Sequence, residues 1–390
     1  MAMGNMSPDQ LNQLMRSRLL ATGIRQEKNL GTSSGQAAGS TTRIKLQNIG
    51  LTTRLRLLIT ANYTVGTATA TVSPLGMLNA ITRIKLQDYD GTDRLNASPV
   101  GIWSRNCLRE RRIDGLHRDS LNAIGGLALI GSAALTSPSI GTAVGAATAF
   151  YALDVPIAYD YDGGDLRGLM GTQSTVGEVW LSIDWASALY GNGDDTKVFN
   201  GAATTTVTGI TFDVTVIQEF LLPQFDGAIG AVPLPELDLL TVNELITYTT
   251  SDNLASGQEK LISFPNVRSI HGVHYQYFHN SLLGGSSTTN DLTRHAIVVG
   301  GNTRLKDRLS RNEQLWSQRQ DIGADLGKGM YFFDFAGLAG AGFQPVQTAL
   351  LGNMQLGVTP ATSPSGTTFV QSTLESQYIK GTPLGAVSQQ

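Results

Sequence analysis

The 390-residue sequence predicts an all-β protein with short helices, built as two tandem β-sandwiches that each carry one helix. Three observations predict it. The segment Ile81 to Arg109 has a second copy within Arg294 to Gln320. Several runs alternate apolar and polar residues with period two, the pattern of strands packed on one face. The 44 glycines, with 15% charged and 41% hydrophobic residues, favour many turns between strands over a helical bundle.

The repeat is detailed. An apolar run (Ile81 to Leu86; His295 to Val299) leads to a Gly-x-x-Arg-Leu turn: Gly91, Arg94 and Leu95, then Gly301, Arg304 and Leu305. A helix start follows each. Ser98 at the N-cap with Pro99 behind it opens the first helix, and Ser310 with Glu313 forms a capping box for the second. Both helices carry Trp-Ser and an arginine: Trp103, Ser104 and Arg105, then Trp316, Ser317 and Arg319. Downstream, Tyr151-x-x-Asp154 is matched by Tyr331-x-x-Asp334. Unequal spacing implies loops of different length, so the reading is two equivalent halves rather than a solenoid.

Taken in order, residues 1–39 read as a helical arm and linker. Ser7 and Gln10 form a capping box, Pro8 takes the first helical position, and Leu11, Leu14, Met15 and Leu19 make an apolar stripe suited to a protein neighbour or a membrane surface. Gly31 to Ser40 has a linker's composition. The first sandwich, residues 40–225, opens with the alternation of Thr42 to Gln47, whose six residues TRIKLQ recur at Thr82 to Gln87. Arg54 to Val65 predicts a second strand and Thr67 to Val72 a third. Glu178 to Trp185 turns Val179, Leu181, Ile183 and Trp185 inward, and Thr205 to Phe220 does the same with Ile210, Phe212, Val214 and Val216. A Gly- and Pro-punctuated joint follows at Pro223 to Pro235. The second sandwich, residues 236–380, has strand runs at Glu259 to Phe264, Val273 to Phe278, His295 to Val299, Met330 to Phe335, Met354 to Val358 and Thr367 to Lys380, leaving 381–390 as a tail.

Charge is unevenly placed. Up to Arg56 there are eight basic and two acidic residues, a net +6, so with 28 basic and 31 acidic in all the remainder carries −9. An arm of that sign suits an anionic surface, or serves as a solubilising tail. Arg16, Arg18, Arg25 and Lys28 are its candidate contacts. The single cysteine, Cys107, excludes an intrachain disulfide framework and reads as a buried small hydrophobe. Residues 120–153 hold no charge, but their glycines, Pro138 and hydroxyl residues do not make a membrane span; an excursion against a neighbouring subunit fits better. The polar N-terminus shows no apolar signal region, so synthesis in the cytoplasm is expected.

Motifs that carry chemistry fail their context tests. Gly31 to Gly35 has the G-x-S-x-G spacing, but in a linker rather than between strand and helix. Gly323 to Gly329 is one residue short of a phosphate loop and has Gly329 where Ser or Thr must hold magnesium. His271, His274 and His279 lie three and five apart on a predicted strand, which points neighbours to opposite faces and separates the outer two by roughly 26 Å. Asp160, Asp162 and Asp165 open like a calcium loop, yet Gly171 stands at the twelfth position instead of a bidentate glutamate. Trp103 and Trp316 are expected to plug their sandwiches, beside Leu108 and Leu315. No catalytic, metal or cofactor-binding residue is therefore assigned, and no enzyme activity is expected. Two β-rich halves with one helix each and no catalytic constellation themselves point to two eight-stranded jelly rolls.

Pro74 to Arg109, FYALDVPIAYDYDGGDLRGL, GEVWLSIDWASA and LSRNEQLWSQRQDIGADLGKGMYFFDF together carry a resemblance. In them the chain resembles the double jelly-roll major capsid proteins of tailless icosahedral double-stranded DNA viruses with an internal membrane, the tectivirus-like phages. The approach through Lys328 and Gly329 to an aromatic strand ending in Asp334 is its most specific piece. The resemblance implies two rolls standing perpendicular to a virion surface, homotrimers with a pseudo-hexagonal footprint, and trimer-trimer lattice contacts. It also implies penton and minor capsid proteins as partners, an internal lipid membrane met by the basic arm, and no specific nucleic-acid site. The alternative is a carbohydrate-binding or adhesive β-sandwich protein, which would need an exposed aromatic platform.

Overall fold

The computed structural model describes residues 6–380 except 110–139, 141, 161–163, 173–176, 202–204, 224, 227–229, 232–233, 251–253, 256, 266–267, 285–290, 323–325, 327–328, 337–345, 348–351 and 362–366. Among the described residues, strands of four residues or more number eight before Pro223 and eight after it. The first eight are β1 (Ile24–Ala37), β2 (Thr41–Lys45), β3 (Leu51–Gly66), β4 (Ile81–Gln87), β5 (Asp93–Ala97), β6 (Gly145–Pro156), β7 (Trp180–Trp185) and β8 (Thr206–Leu222). They form two sheets, β1-β8-β3-β6 and β2-β7-β4-β5. The second eight are β9 (Thr241–Thr249), β10 (Lys260–Ser263), β11 (Ser269–His279), β12 (Leu292–Val299), β13 (Thr303–Arg308), β14 (Met330–Asp334), β15 (Met354–Pro360) and β16 (Thr368–Ile379). Their sheets are β9-β16-β11-β14 and β10-β15-β12-β13. Every strand number is raised by eight, so the duplication read from short motifs holds for the whole connectivity, and each half is an eight-stranded jelly roll.

Among the described residues four α-helices accompany the strands: α1 (Pro8–Thr22), α2 (Pro99–Arg109), α3 (Glu236–Leu240) and α4 (Arg311–Ile322). The two tryptophan helices occupy equivalent places, α2 between β5 and β6, α4 between β13 and β14. Their predicted caps are present. Ser98 Oγ accepts from the Gly101 amide at 3.2 Å, Ser310 Oγ accepts from the Glu313 amide at 3.2 Å, and at α1 both halves of the Ser7–Gln10 capping box form. The turns before β5 and β13 need glycine, because Gly91 and Gly301 take φ of 80° and 87°.

The alternating runs are strands with the expected inner faces. Leu181, Ile183 and Trp185 are buried in β7 and Val179 just before it, with Phe212, Val214 and Val216 buried in β8, while Ile210 is half-buried. Three apolar clusters result. One fills the first roll, a second built around Val273, Tyr275, Tyr331 and Leu374 fills the other, and a third joins Leu19 of α1 to Leu51, Leu166, Leu169 and Leu221. Cys107 is buried in the first, as expected.

Several expectations need correction. Residues 31–37 are not linker but part of β1, so the first roll begins at Ile24 rather than at residue 40. β1 lacks apolar alternation because it is a sheet edge with nearly every side chain in solvent; its backbone pairing with β8 is interrupted by two bulges. Gly31 and Gly35, at φ of 100° and 66°, sit at those bulges, which is the structural content of the G-x-S-x-G spacing. The predicted strand at Thr67 to Val72 is only an isolated bridge between Val72 and Phe199. The predicted strand runs do not include β5, β6, β9 or β13. Arg94 and Leu95, and Arg304 and Leu305, belong to β5 and β13 rather than to turns. Of the uncharged 120–153 segment, Gly145 onward is β6, and 120–139 lies outside the described residues, as do the 381–390 tail, Asp162 and Lys328.

The rolls are not separate beads. β5 of the first pairs in parallel with β9 of the second, Leu95 opposite Leu245 and Asn96 opposite Ile246, so one continuous sheet crosses the junction.

Candidate functional site

The densest polar chemistry lies where α2 crosses from the first roll onto the second. Every residue from Pro99 to Arg109 is buried, although a helix on a sandwich normally keeps one face in water. Contact on both sides is the reason. Trp103 and Cys107 join the first-roll cluster together with Phe278, Met330 and Phe332 of the second roll. The opposite side meets β16 and β11: Ser104 Oγ lies 2.9 Å from His274 Nδ1, and a Cβ on Gly101 would stand 2.1 Å from Thr373 Oγ1. Gly101→Ala, which in a free helix stabilises by about 0.5–1 kcal/mol, is therefore expected to destabilise this protein by about 1–3 kcal/mol through overpacking. Its urea midpoint should fall.

Two arginines complete the seam. Arg109 donates from Nε and Nη2 to Glu375 of β16 at 2.9 and 2.6 Å, from Nη1 to Asp334 of β14 at 2.8 Å, and from Nη2 to the His271 carbonyl at 3.0 Å. Arg105 reaches Glu375 at 3.3 Å and also donates to the Tyr159 carbonyl. Arg105, Arg109 and Arg167 all lie over the Tyr159 ring, at 5.7, 5.3 and 4.8 Å. Burial opposes the Glu375 charge, yet Arg109 and Arg105 outweigh it and hold that carboxyl well below its usual range. For Arg109, burial works against the charge and Glu375 and Asp334 overcome it, so its pKa is raised. Burial pushes His271 down to about 3 and lowers His274 too, so both rings are neutral at pH 7. Further ties run along the seam. Asn243 of β9 donates to the Ile157 and Arg167 carbonyls at 2.9 and 2.7 Å, and Lys380 pairs with Asp88 and Asp90 at 2.6 and 2.9 Å.

This arrangement binds the two rolls and fixes their orientation. The legible signal was an acid inside a strand, Glu375 in β16 and Asp334 in β14, with two arginines four apart on a helix. Only the fold shows that these belong together.

The residues singled out from sequence fall elsewhere. Arg16 is not available to an outside partner: it holds Asp238 of α3 at 2.6 and 2.7 Å, beside Asn12, which donates to the same carboxylate at 3.0 Å. With Leu19 fully buried, α1 is docked on its own chain. Arg18 lies on α1, and Arg25 and Lys28 are surface residues of β1. His271, His274 and His279 are all buried in β11 and do not converge; His271 packs on Tyr159, with ring centroids 5.0 Å apart. Asp160 and Asp165 are joined by a backbone bridge, and Asp165 is held by Arg167 at 2.6 Å. Among the described residues no group of three or more His, Cys, Asp or Glu is placed to hold a metal. Trp316 corrects the expectation of two plugs. It is 63% exposed, because α4 turns Gln314 and Gln318 inward and leaves the tryptophan on its outer side.

By sequence the chain matches no family model and no curated protein. By structure it is similar to the major capsid protein of Sulfolobus Turreted Icosahedral Virus (TM-score 0.63, 12% identity, 92% of this chain and 98% of that one). It is also similar to VP54 of PBCV-1 (0.59, 13%, 92% and 95%) and to the major capsid protein of bacteriophage PM2 (0.51, 12%, 91% and 98%). Each match covers more than nine-tenths of the chain, so both halves take part in it. The chain is thus a double jelly roll, the architecture that these major capsid proteins share.

Proposed function

We propose that the chain is a major capsid protein, a structural protein that assembles as a homotrimer and tiles an icosahedral shell around an internal membrane. The observation that carries the reading is the seam: two topologically identical rolls locked by a buried ionic cluster and a shared sheet make one rigid double wedge. Similarity over nine-tenths of the chain to capsid proteins of icosahedral viruses supports it. Three such chains would present six similar wedges, a pseudo-hexagonal tile. Penton and minor capsid proteins fill the remaining positions. The mature location is the virion, after synthesis in the host cytoplasm. Arg18, Arg25 and Lys28 are the arm cations assigned to lipid headgroups, each contributing about 1 kcal/mol near an anionic surface; Arg16 is excluded by its bond to Asp238.

A carbohydrate-binding or adhesive role would need an aromatic platform, and the exposed aromatic side chains among the described residues, Trp316, Tyr89 and Phe150, lie on α4, in the β4–β5 turn and on β6. Light scattering on the purified protein across a concentration series is the test. A stable species at three times the 41.5 kDa chain mass is expected. A chain that stays monomeric throughout would overturn the reading.

A further inference from the structure

The seam is unevenly filled along α2. At the C-terminal end of the helix Arg105 and Arg109 occupy the space between the rolls, and in its middle Gly101 leaves no room even for a methyl group beside Thr373. At its first turn a cavity of about 210 Å³ remains. The sequence accounts for the difference. Ser98 and Pro99, which open the helix, are short, and the strands opposite change character toward this end. Along β16 the residues on the α2 side run Glu375, Thr373, Gln371, Phe369, and along β11 they run His274, Gln276, Phe278, so charged and hydroxyl groups that bond the helix give way to amides and aromatic rings.

Both rolls wall the cavity. The first supplies Leu78 of the 3-10 turn Gly76–Ala80, Ile81 of β4 and Val100 of α2, all buried. The second supplies Phe278 and Phe369, stacked with ring centroids 4.6 Å apart. The mouth is polar, with Gln371 and Lys197 half-buried and Thr82 exposed. Lys197 is the one charged residue of the lining. The acids beside it in sequence are engaged elsewhere: Asp194 accepts from Thr196, and Asp195 from Asn200 and the Leu283 amide. Next to the polar wall, Gln276 stands opposite Gln371 in the strand register, fully buried, and neither of its amide atoms has a hydrogen-bond partner among the described residues. A buried amide left without a partner is rare in a native fold and marks a place that the chain alone does not complete.

We propose that this cleft between the rolls binds a small aromatic carboxylate, its ring held among Ile81, Val100 and Phe369 and its anionic end at the mouth, where Lys197 and Gln371 donate. Apolar walls with a few polar groups at one end are the usual make-up of a small-molecule site. An apolar cavity of about 150 Å³ suffices for benzene, so a ring bearing one small charged group fits here. The ligand touches both rolls at the end of α2 that the ionic cluster does not reach, and it therefore holds the junction closed by binding the folded, docked state alone. The site belongs to the single chain and stands apart from the capsid reading.

The test titrates sodium benzoate, with benzyl alcohol as the neutral probe, into the full-length protein by ligand-observed NMR and follows the urea midpoint. Benzoate should bind saturably with a dissociation constant of about 1 mM or lower, within what so small a ligand allows, and should raise the midpoint once its concentration exceeds that value. Val100→Phe, which fills the cavity, should abolish binding of both probes. Lys197→Glu, at the half-buried rim, should weaken benzoate at least about tenfold and leave benzyl alcohol unchanged. Should Val100→Phe fail to fold, the contrast between the two probes in Lys197→Glu decides alone. No saturable binding of benzoate to the parent, binding that survives Val100→Phe, or no difference between the probes in Lys197→Glu would overturn the site.

Discussion

Glu375→Ala is expected to cost about 3–5 kcal/mol of stability, the range for removing one partner of a buried ion pair. The loss goes beyond one attraction. Glu375 accepts from Arg109 at 2.9 and 2.6 Å and from Arg105 at 3.3 Å, and without it both guanidiniums stay in a seam where Arg105 and Arg109 are almost fully buried. Asp334, at 2.8 Å from Arg109, compensates one of them in part. Arg109→Ala should cost a similar amount, and because the residues share one network the double replacement should cost clearly less than the sum. Urea denaturation of the four proteins measures this. Additive effects would show that the arginines and the glutamate act separately, and an unchanged midpoint for Glu375→Ala would show that the cluster does not hold the rolls together.

Acidification should remove several kcal/mol between pH 6.5 and pH 4. His271 and His295, both fully buried, are pushed by burial to about 3, and His274 is lowered for the same first reason. Lowered histidines stay neutral in the folded chain while the unfolded chain takes up protons below about pH 6.5. Stability is therefore full above 6.5 and falls by about 1.4 kcal/mol per pH unit for each such histidine as pH drops toward the folded values. Glu375 acts in the same direction but lower. Its carboxyl is held down, so its contribution is present above the unfolded value near 4.5 and is lost as pH falls toward the folded one. Unfolding free energies at pH 7, 6, 5 and 4 would show the slope, and His271→Asn should make it shallower. A flat profile across that range would mean that these rings are not held neutral.

Much of the architecture can be read directly from residues. Period-two alternation in Glu178 to Trp185 and Thr205 to Phe220 predicts strands because one side of each must face an apolar core and the other water or a polar neighbour. Ser7, Ser98 and Ser310 predict helix starts because an orphan amide needs an oxygen and the side chain is local. The duplication is legible for the same reason: short motifs that set turns, caps and helix faces are specified within a few residues of themselves.

Other features depend on what packs from a distance. β1 has no alternation because an edge strand with both faces near solvent needs none, and its identity comes from pairing with β8, from Ile24 opposite Leu222 to Ala37 opposite Thr211, far away in the chain. α2 and α4 carry the same Trp-Ser pair, yet Trp103 is buried and Trp316 exposed. The sequence by itself determined the alternation, the caps, the repeat and so the presence of two rolls, all of which are set by neighbours within a turn or a strand. Only the tertiary structure decided which tryptophan is covered, which acid pair receives arginines from across the seam and which end of the arm is docked, because burial and charge compensation depend on residues brought together from far along the chain.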